Sequence, residues 1–329
     1  VHVTFPEKDT TEFLDSSAFY IDGKKLDVSR FSFDESGKHL LFLSNQKKNW
    51  RHSYLGTYHV LDIESEMISP VSKENSGLRN VKISPDGTKV AYVRKDNNLF
   101  VYDMVKKKEK QLTSNGSDLI FNGHFGWVYE EEFGSYDAYR WSPDSRLIAY
   151  WEEDQSQVPV FTLLNEMSLY PTTQKIRYPK AGQTNPTMKI YVVDVKKGRR
   201  KSMDIGDASD TYYPWMEWTG VKKLTVMRMN RLQKQWEFLR VDTKSGKSVK
   251  GLTESDDNGW VELHRNYNFL KNGNILWMSE QSGWHHIYIH TSSGELVQQI
   301  TNGEWEVKKI VHVEEESKIV YFTANKESV

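Results

Sequence analysis

Apolar and polar residues alternate in short runs along this chain, and the runs come in pairs joined by tight turns. The stretch from Val28 to Leu43 is one such pair. Asn80–Val93 and Ala138–Trp151 repeat it around Pro85-Asp86-Gly87 and Pro143-Asp144-Ser145. Proline presets φ, and glycine supplies the left-handed step that a hairpin turn favours. The turn aspartates Asp34, Asp86 and Asp144 stand 52 and 58 residues apart. Weaker copies run from Pro214 to Val226, from Asn266 to Trp277 and from Val307 to Tyr321. Further strands lie outside these hairpins, at Asn98–Asp103, Lys110–Thr113, Lys189–Asp194, Glu237–Asp242 and His286–His290.

About four strands in each repeat of roughly 50 residues is the pattern of a β-propeller, and no long amphipathic helix competes with it. The predicted fold class is all-β, a β-propeller of four-stranded blades over residues 1–329, with six repeats visible. One interval breaks the rhythm. Between Gln155 and Lys189 the chain carries Pro159, Pro171, Pro179 and Pro186, too many for a central strand. An extended arm inserted around residues 158–186 is expected there, and long excursions of this kind are often functional.

The run Trp127-Val128-Tyr129-Glu130-Glu131-Glu132-Phe133 sets three carboxylates after an aromatic and β-branched segment. Adjacent like charges repel, and neither a strand nor a turn requires three of them. Held beside aromatic residues on a protruding loop, they are suited to capture a cation. A second triplet, Glu314-Glu315-Glu316, falls at a hairpin turn with no aromatic run before it and reads as solvated.

Composition narrows the choice of ligand. Lys and Arg total 44 against 45 Asp and Glu, so no overall basic field draws in nucleic acid. Lys106-Lys107-Lys108 reads as a solvated strand end. No apolar run approaches the roughly 20 residues of a spanning helix, and no membrane span is expected. With no cysteine, disulfides, thiolate metal sites and a cysteine nucleophile are excluded. The ten histidines show no metal-like spacing, so neither a metal nor a cofactor is expected. The chain opens at Val1 with no basic region followed by an apolar core, and is read as part of a larger protein.

Five segments together resemble the propeller of the dipeptidyl peptidase IV family, post-proline serine peptidases of the prolyl oligopeptidase clan. They are Trp50-Arg51-His52-Ser53-Tyr54, Trp127 to Glu132, Tyr178 to Pro186, Gly259-Trp260-Val261 and Gly303-Glu304-Trp305-Glu306-Val307. They occur in the family's order, and the likeness runs with gaps from Phe19 to the end. The resemblance implies an eight-bladed propeller, of which about six to seven blades would be present here. It also implies a C-terminal α/β-hydrolase domain, absent from this chain, and release of dipeptides from N-termini with proline or alanine second. By the resemblance, Glu131 and Glu132 match the pair that holds the substrate's free amine. Arg51 matches the arginine that contacts a substrate carbonyl oxygen, and Glu130 is left facing solvent or accepting structural hydrogen bonds. His264 falls near the aromatic wall on the substrate's far side, although it is not the aromatic residue expected there. A homodimer built through the arm, and a periplasmic or secreted location in a bacterium, follow from the same resemblance.

The chemistry is coherent on its own terms. An α-ammonium has a pKa of about 7.7–8.0 and is mostly cationic near neutral pH. Two carboxylates can accept its N–H donors as charge-assisted bonds. A blocked or internal peptide lacks that cation, so the pair would both hold the substrate and measure its length. No Gly-x-Ser-x-Gly elbow occurs in the chain, and a peptidase of this clan carries its serine on one. The chain alone is therefore expected to be inactive. Two other readings are an interaction propeller that has lost its hydrolase and a carbohydrate-active propeller. The latter needs two carboxylates across a pocket, about 5–10 Å apart, which adjacent glutamates suit poorly.

Overall fold

The computed structural model describes residues 2–4, 9–11, 14–21, 23–263 and 266–326, and divides into two compact units, Val1–Ser202 and Met203–Val329. In the first unit, Val28–Phe33, His39–Lys48, Tyr54–Asp62 and Met67–Pro70 pair antiparallel in chain order as one four-stranded blade. Arg79–Ile83, Lys89–Val93, Leu99–Asp103 and Lys108–Gln111 form the second.

Strand periodicity explains the stacking, because successive side chains point to opposite faces of a sheet. Val90 and Tyr92 share a core with Leu41, Leu43, Tyr58 and Val60 of the first blade. Ala91 and Val93, on the other face, pack with Tyr139, Ile148, Tyr150 and Val193 of the third. A blade covered on both sides has no use for polar residues in its middle, and Val90-Ala91-Tyr92-Val93 are all wholly buried.

The turns are held by their own polar side chains. Ser84 Oγ donates to Asp86 Oδ1 at 2.6 Å, the same oxygen accepts the Thr88 N–H at 3.1 Å, and Gly87 takes φ 69°. Ser142 and Asp144 repeat the bond at 2.7 Å, with Ser145 at φ 58° in the glycine's place.

The third blade departs from the plain pattern. Its long strand Leu147–Asp154 pairs on one side with Thr187–Asp194, which in turn pairs with Arg200–Ser202. On the other side two short strands share it. Tyr139–Trp141 pairs with Ile148–Tyr150, and Ile120–Asn122 pairs with Glu152–Asp154. The blade's first strand is thus interrupted, and residues 123–138 leave the sheet between its two halves. They carry helix α1, Trp127–Phe133. The expected arm is present as a separate two-stranded hairpin, Val160–Asn165 with Thr172–Arg177.

The second unit holds a blade of Thr211–Gly220, Lys223–Asn230, Gln235–Asp242 and Ser248–Ser255. Another follows, of Tyr267–Phe269, Ile275–Ser279, His286–His290 and Leu296–Gln299, and then the hairpin Val307–Glu314 with Ile319–Ala324. Aromatic rings fill the space between its first two sheets: Trp236 and Trp277 lie 4.4 Å apart, and Trp215 stacks on Phe269 at 5.7 Å. The fold is all-β, built of four-stranded antiparallel propeller blades. All six repeat hairpins read from the sequence are present, five within complete blades and the last as a hairpin alone. The second glutamate triplet begins at that hairpin's turn, where Glu315 accepts the backbone N–H of Lys271 at 2.7 Å.

Candidate functional site

The glutamate triplet lies on α1, not on a protruding loop. Trp, Val and Tyr favour strands, and seven residues are too few to hold a helix in water unaided. Packing supplies what propensity does not. Val128, Tyr129 and Phe133 are buried, with Tyr129 stacked on Phe125 at 4.8 Å and edge-on to Phe133 at 5.4 Å. Trp127 packs on Tyr178 at the base of the arm, ring centres 4.4 Å apart. Gly134, at φ 60°, ends the helix by donating its N–H to the Tyr129 carbonyl.

A helix turns by about 100° per residue, so three consecutive glutamates cannot share one environment. Glu130 points inward and is wholly buried, Glu131 is partly exposed, and Glu132 is exposed. Their surroundings differ accordingly. Glu130 Oε1 accepts the backbone N–H of His52 at 2.5 Å and of Ser53 at 2.7 Å. Glu131 accepts Arg51 Nε at 2.9 and 3.2 Å, one contact to each oxygen. Glu132 has no hydrogen-bond or ion-pair partner among the described residues.

Arg51 stands at the tip of the hairpin joining His39–Lys48 to Tyr54–Asp62. The tip is closed by the Asn49 N–H donating to the Ser53 carbonyl at 3.0 Å and by Asn49 Nδ2 donating to Ser53 Oγ at 3.2 Å. The Arg51 side chain is 67% exposed. The structure therefore brings Arg51 to Glu131, with Glu132 one position on, as three of the four predicted site residues. The fourth, His264, lies outside the described residues. Of the nearby Gly259-Trp260-Val261 segment, Trp260 is 69% exposed and donates Nε1–H to Glu262 at 3.2 Å.

Sequence reasoning missed the groups behind the helix. Glu153, wholly buried, accepts the Gly126 N–H at 2.7 Å where the helix begins, and its other oxygen accepts Gln155 Nε2 at 2.6 Å. Burial pushes its carboxyl up to about 7 in spite of those two bonds. Behind Glu130, burial and the neighbouring Arg79 charge hold the His124 imidazole well below its usual range. Burial also pushes Arg79 down to about 10, against the pull of Glu130. Glu130 Oε2 and Arg79 Nε are buried and have no hydrogen-bond partner among the described residues. A signal for this layer was present in the sequence. Trp151-Glu152-Glu153-Asp154 sets three carboxylates inside a strand that is otherwise apolar.

The sequence profile described as the dipeptidyl peptidase IV (DPP IV) N-terminal region matches residues 34–329. Among curated relatives, dipeptidyl peptidase 4 of Arthroderma otae is 33% identical over 305 residues, and that of Trichophyton rubrum 31% over 305. Each match takes in 87% of this chain and 39% of the relative, so the chain spans about two-fifths of the length of the curated relatives it matches. The crystal structure of Porphyromonas gingivalis dipeptidyl peptidase 4 superposes with a TM-score of 0.91 at 29% identity. That superposition covers 99% of this chain and 47% of the other. The chain belongs to the dipeptidyl peptidase IV N-terminal region family.

Proposed function

We propose that this chain is the substrate-recognition propeller of a dipeptidyl peptidase IV-type serine peptidase, and that α1 binds the free N-terminal amine of the peptide. The observation that carries the reading is the unequal state of two neighbouring carboxylates. Glu131 already shares its charge with Arg51, while Glu132 is exposed and has no partner among the described residues. An incoming ammonium would take Glu132 as its main partner and the outer side of Glu131 as its second, in charge-assisted bonds. Arg51 uses only Nε on Glu131, which leaves its terminal nitrogens to meet a substrate carbonyl oxygen. Three fixed points of that kind would set how far the peptide enters. Cleavage after the second residue would follow if the nucleophile stood a fixed distance away, on the hydrolase domain of the longer protein.

On this reading the whole enzyme releases X-Pro or X-Ala dipeptides without a cofactor, in the periplasm or outside the cell. The arm hairpin joins two copies, which would place its exposed Met167, Leu169 and Tyr170 in a contact. The test uses the full-length protein and two chromogenic substrates, Gly-Pro with a free amine and Gly-Pro with its amine acetylated. Hydrolysis of the first and not the second is expected. Equal turnover of both would remove the amine from the mechanism.

A further inference from the structure

The cation-binding reading gives work to Glu131, Glu132 and Arg51, and leaves Glu130 with none. Glu130 is nonetheless the most enclosed of the three carboxylates and the one with the shortest contacts. One oxygen receives two consecutive backbone N–H groups, from His52 and Ser53, which are 78 and 77 residues away in sequence. Both belong to the hairpin tip that carries Arg51. A buried carboxylate taking two peptide N–H donors is a strong, directional tie, and losing it would strand two donors. Adjacent residues of one helix turn thus hold adjacent residues of one hairpin: the Glu130 side chain takes the backbone N–H groups of His52 and Ser53, and Glu131 takes the Arg51 side chain. The side-chain contact is exposed and weak by itself. The backbone contact is the buried one.

We propose that Glu130 is a positioning residue: it latches the Arg51 hairpin tip to α1, so that Arg51 is already in place when the peptide arrives. The inference rests on the amine-binding reading for its functional consequence, but the latch itself is a statement about His52 and Ser53. With the latch open, the tip samples other positions, and binding weakens in proportion to the fraction of time Arg51 is in place. A tip in place one-tenth of the time binds about tenfold more weakly.

Two measurements test this. In the full-length protein, Glu130→Ala is expected to raise KM for Gly-Pro-p-nitroanilide about tenfold or more with kcat essentially kept. Arg51→Ala should raise it as well, and the double variant should be no worse than Arg51→Ala alone. Glu130→Gln, which retains an oxygen acceptor, should restore KM close to the parent value. Hydrogen exchange gives the second measurement: the His52 and Ser53 amides should lose protection in Glu130→Ala while those of α1 keep theirs. Unchanged KM in Glu130→Ala where Arg51→Ala raises it, or effects of the two substitutions that multiply, would overturn the proposal. Unchanged protection at His52 and Ser53 would overturn it too. Should Glu130→Ala fail to fold, Glu130→Asp, one methylene shorter, carries the same expectations at smaller size. If Arg51→Ala leaves KM unchanged while His52 and Ser53 still lose protection in Glu130→Ala, the latch stands and the substrate reading falls.

Discussion

Arg51 Nε donates to both carboxylate oxygens of Glu131, at 2.9 and 3.2 Å, across 80 residues of chain. With the arginine 67% exposed, solvent screens the pair, and it contributes little to stability. Its consequence is a division of charge. Glu131 is half spent on the protein's own cation, and the adjacent Glu132 is not.

That division predicts unequal effects of removing each charge. Glu132→Gln in the full-length protein should raise KM for free-amine Gly-Pro substrates by about 10- to 100-fold, the loss of a charge-assisted bond. Glu131→Gln should cost less in direct amine binding, and should also release Arg51. Steady-state kinetics of the two variants checks the order. Parent-like KM in both would end the assignment of the amine to α1.

The buried carboxyl of Glu153 predicts a pH dependence of folding. Its folded value of about 7 lies above the 4.5 of an unperturbed glutamate. Below 4.5 both states are protonated. Between 4.5 and 7 the unfolded chain gives up a proton that the folded one keeps, so stability declines as pH rises and levels off above 7. The decline should be on the order of 3 kcal/mol. Urea unfolding of this chain at several pH values should show it, and Glu153→Gln should remove that part of the slope.

Gly126 is needed for space, since its φ of −82° suits any residue. A Cβ there would lie 1.9 Å from Gln155 Nε2 and 2.5 Å from Glu153 Oε1, both held in a buried network. Gly126→Ala should therefore destabilise the first unit by about 1–3 kcal/mol, as overpacking does. It should also loosen the start of α1. Denaturant titration measures the first effect and hydrogen exchange of the helix amides the second.

The tip of the arm predicts an effect on assembly. Met167, Leu169 and Tyr170 are 95, 92 and 80% exposed, an apolar group that a soluble surface seldom leaves uncovered. Leu169→Glu together with Tyr170→Glu should turn a full-length dimer into a monomer in analytical sedimentation without lowering the melting temperature. A dimer that persists would place the contact elsewhere.

The blades are legible in the order of residues alone. Alternation with a period of two, and Ser-Pro-Asp turns closed by their own hydroxyl and carboxylate groups, are encoded by residues a few positions apart. The spacing of Asp34, Asp86 and Asp144 therefore shows the repeat without any knowledge of packing. The carboxylate triplet stands out by residue type, whereas Arg51, and Glu131 and Glu132 within the triplet, are singled out by the resemblance to the dipeptidyl peptidase IV family. Where they lie depends on packing that the order of residues does not display. Trp127-Val-Tyr has strand preferences, and it becomes helix α1 because the third blade's first strand breaks open there and buries Val128, Tyr129 and Phe133. The helical turn then sends Glu130 inward, Glu131 to Arg51 and Glu132 to solvent. No local pattern could have paired Glu130 with His52 and Ser53, or Glu153 with Gly126. Those bonds join residues 27 to 78 positions apart: one ties the third blade's insertion to a hairpin tip of the first blade, and the other ties it back to its own blade's long strand.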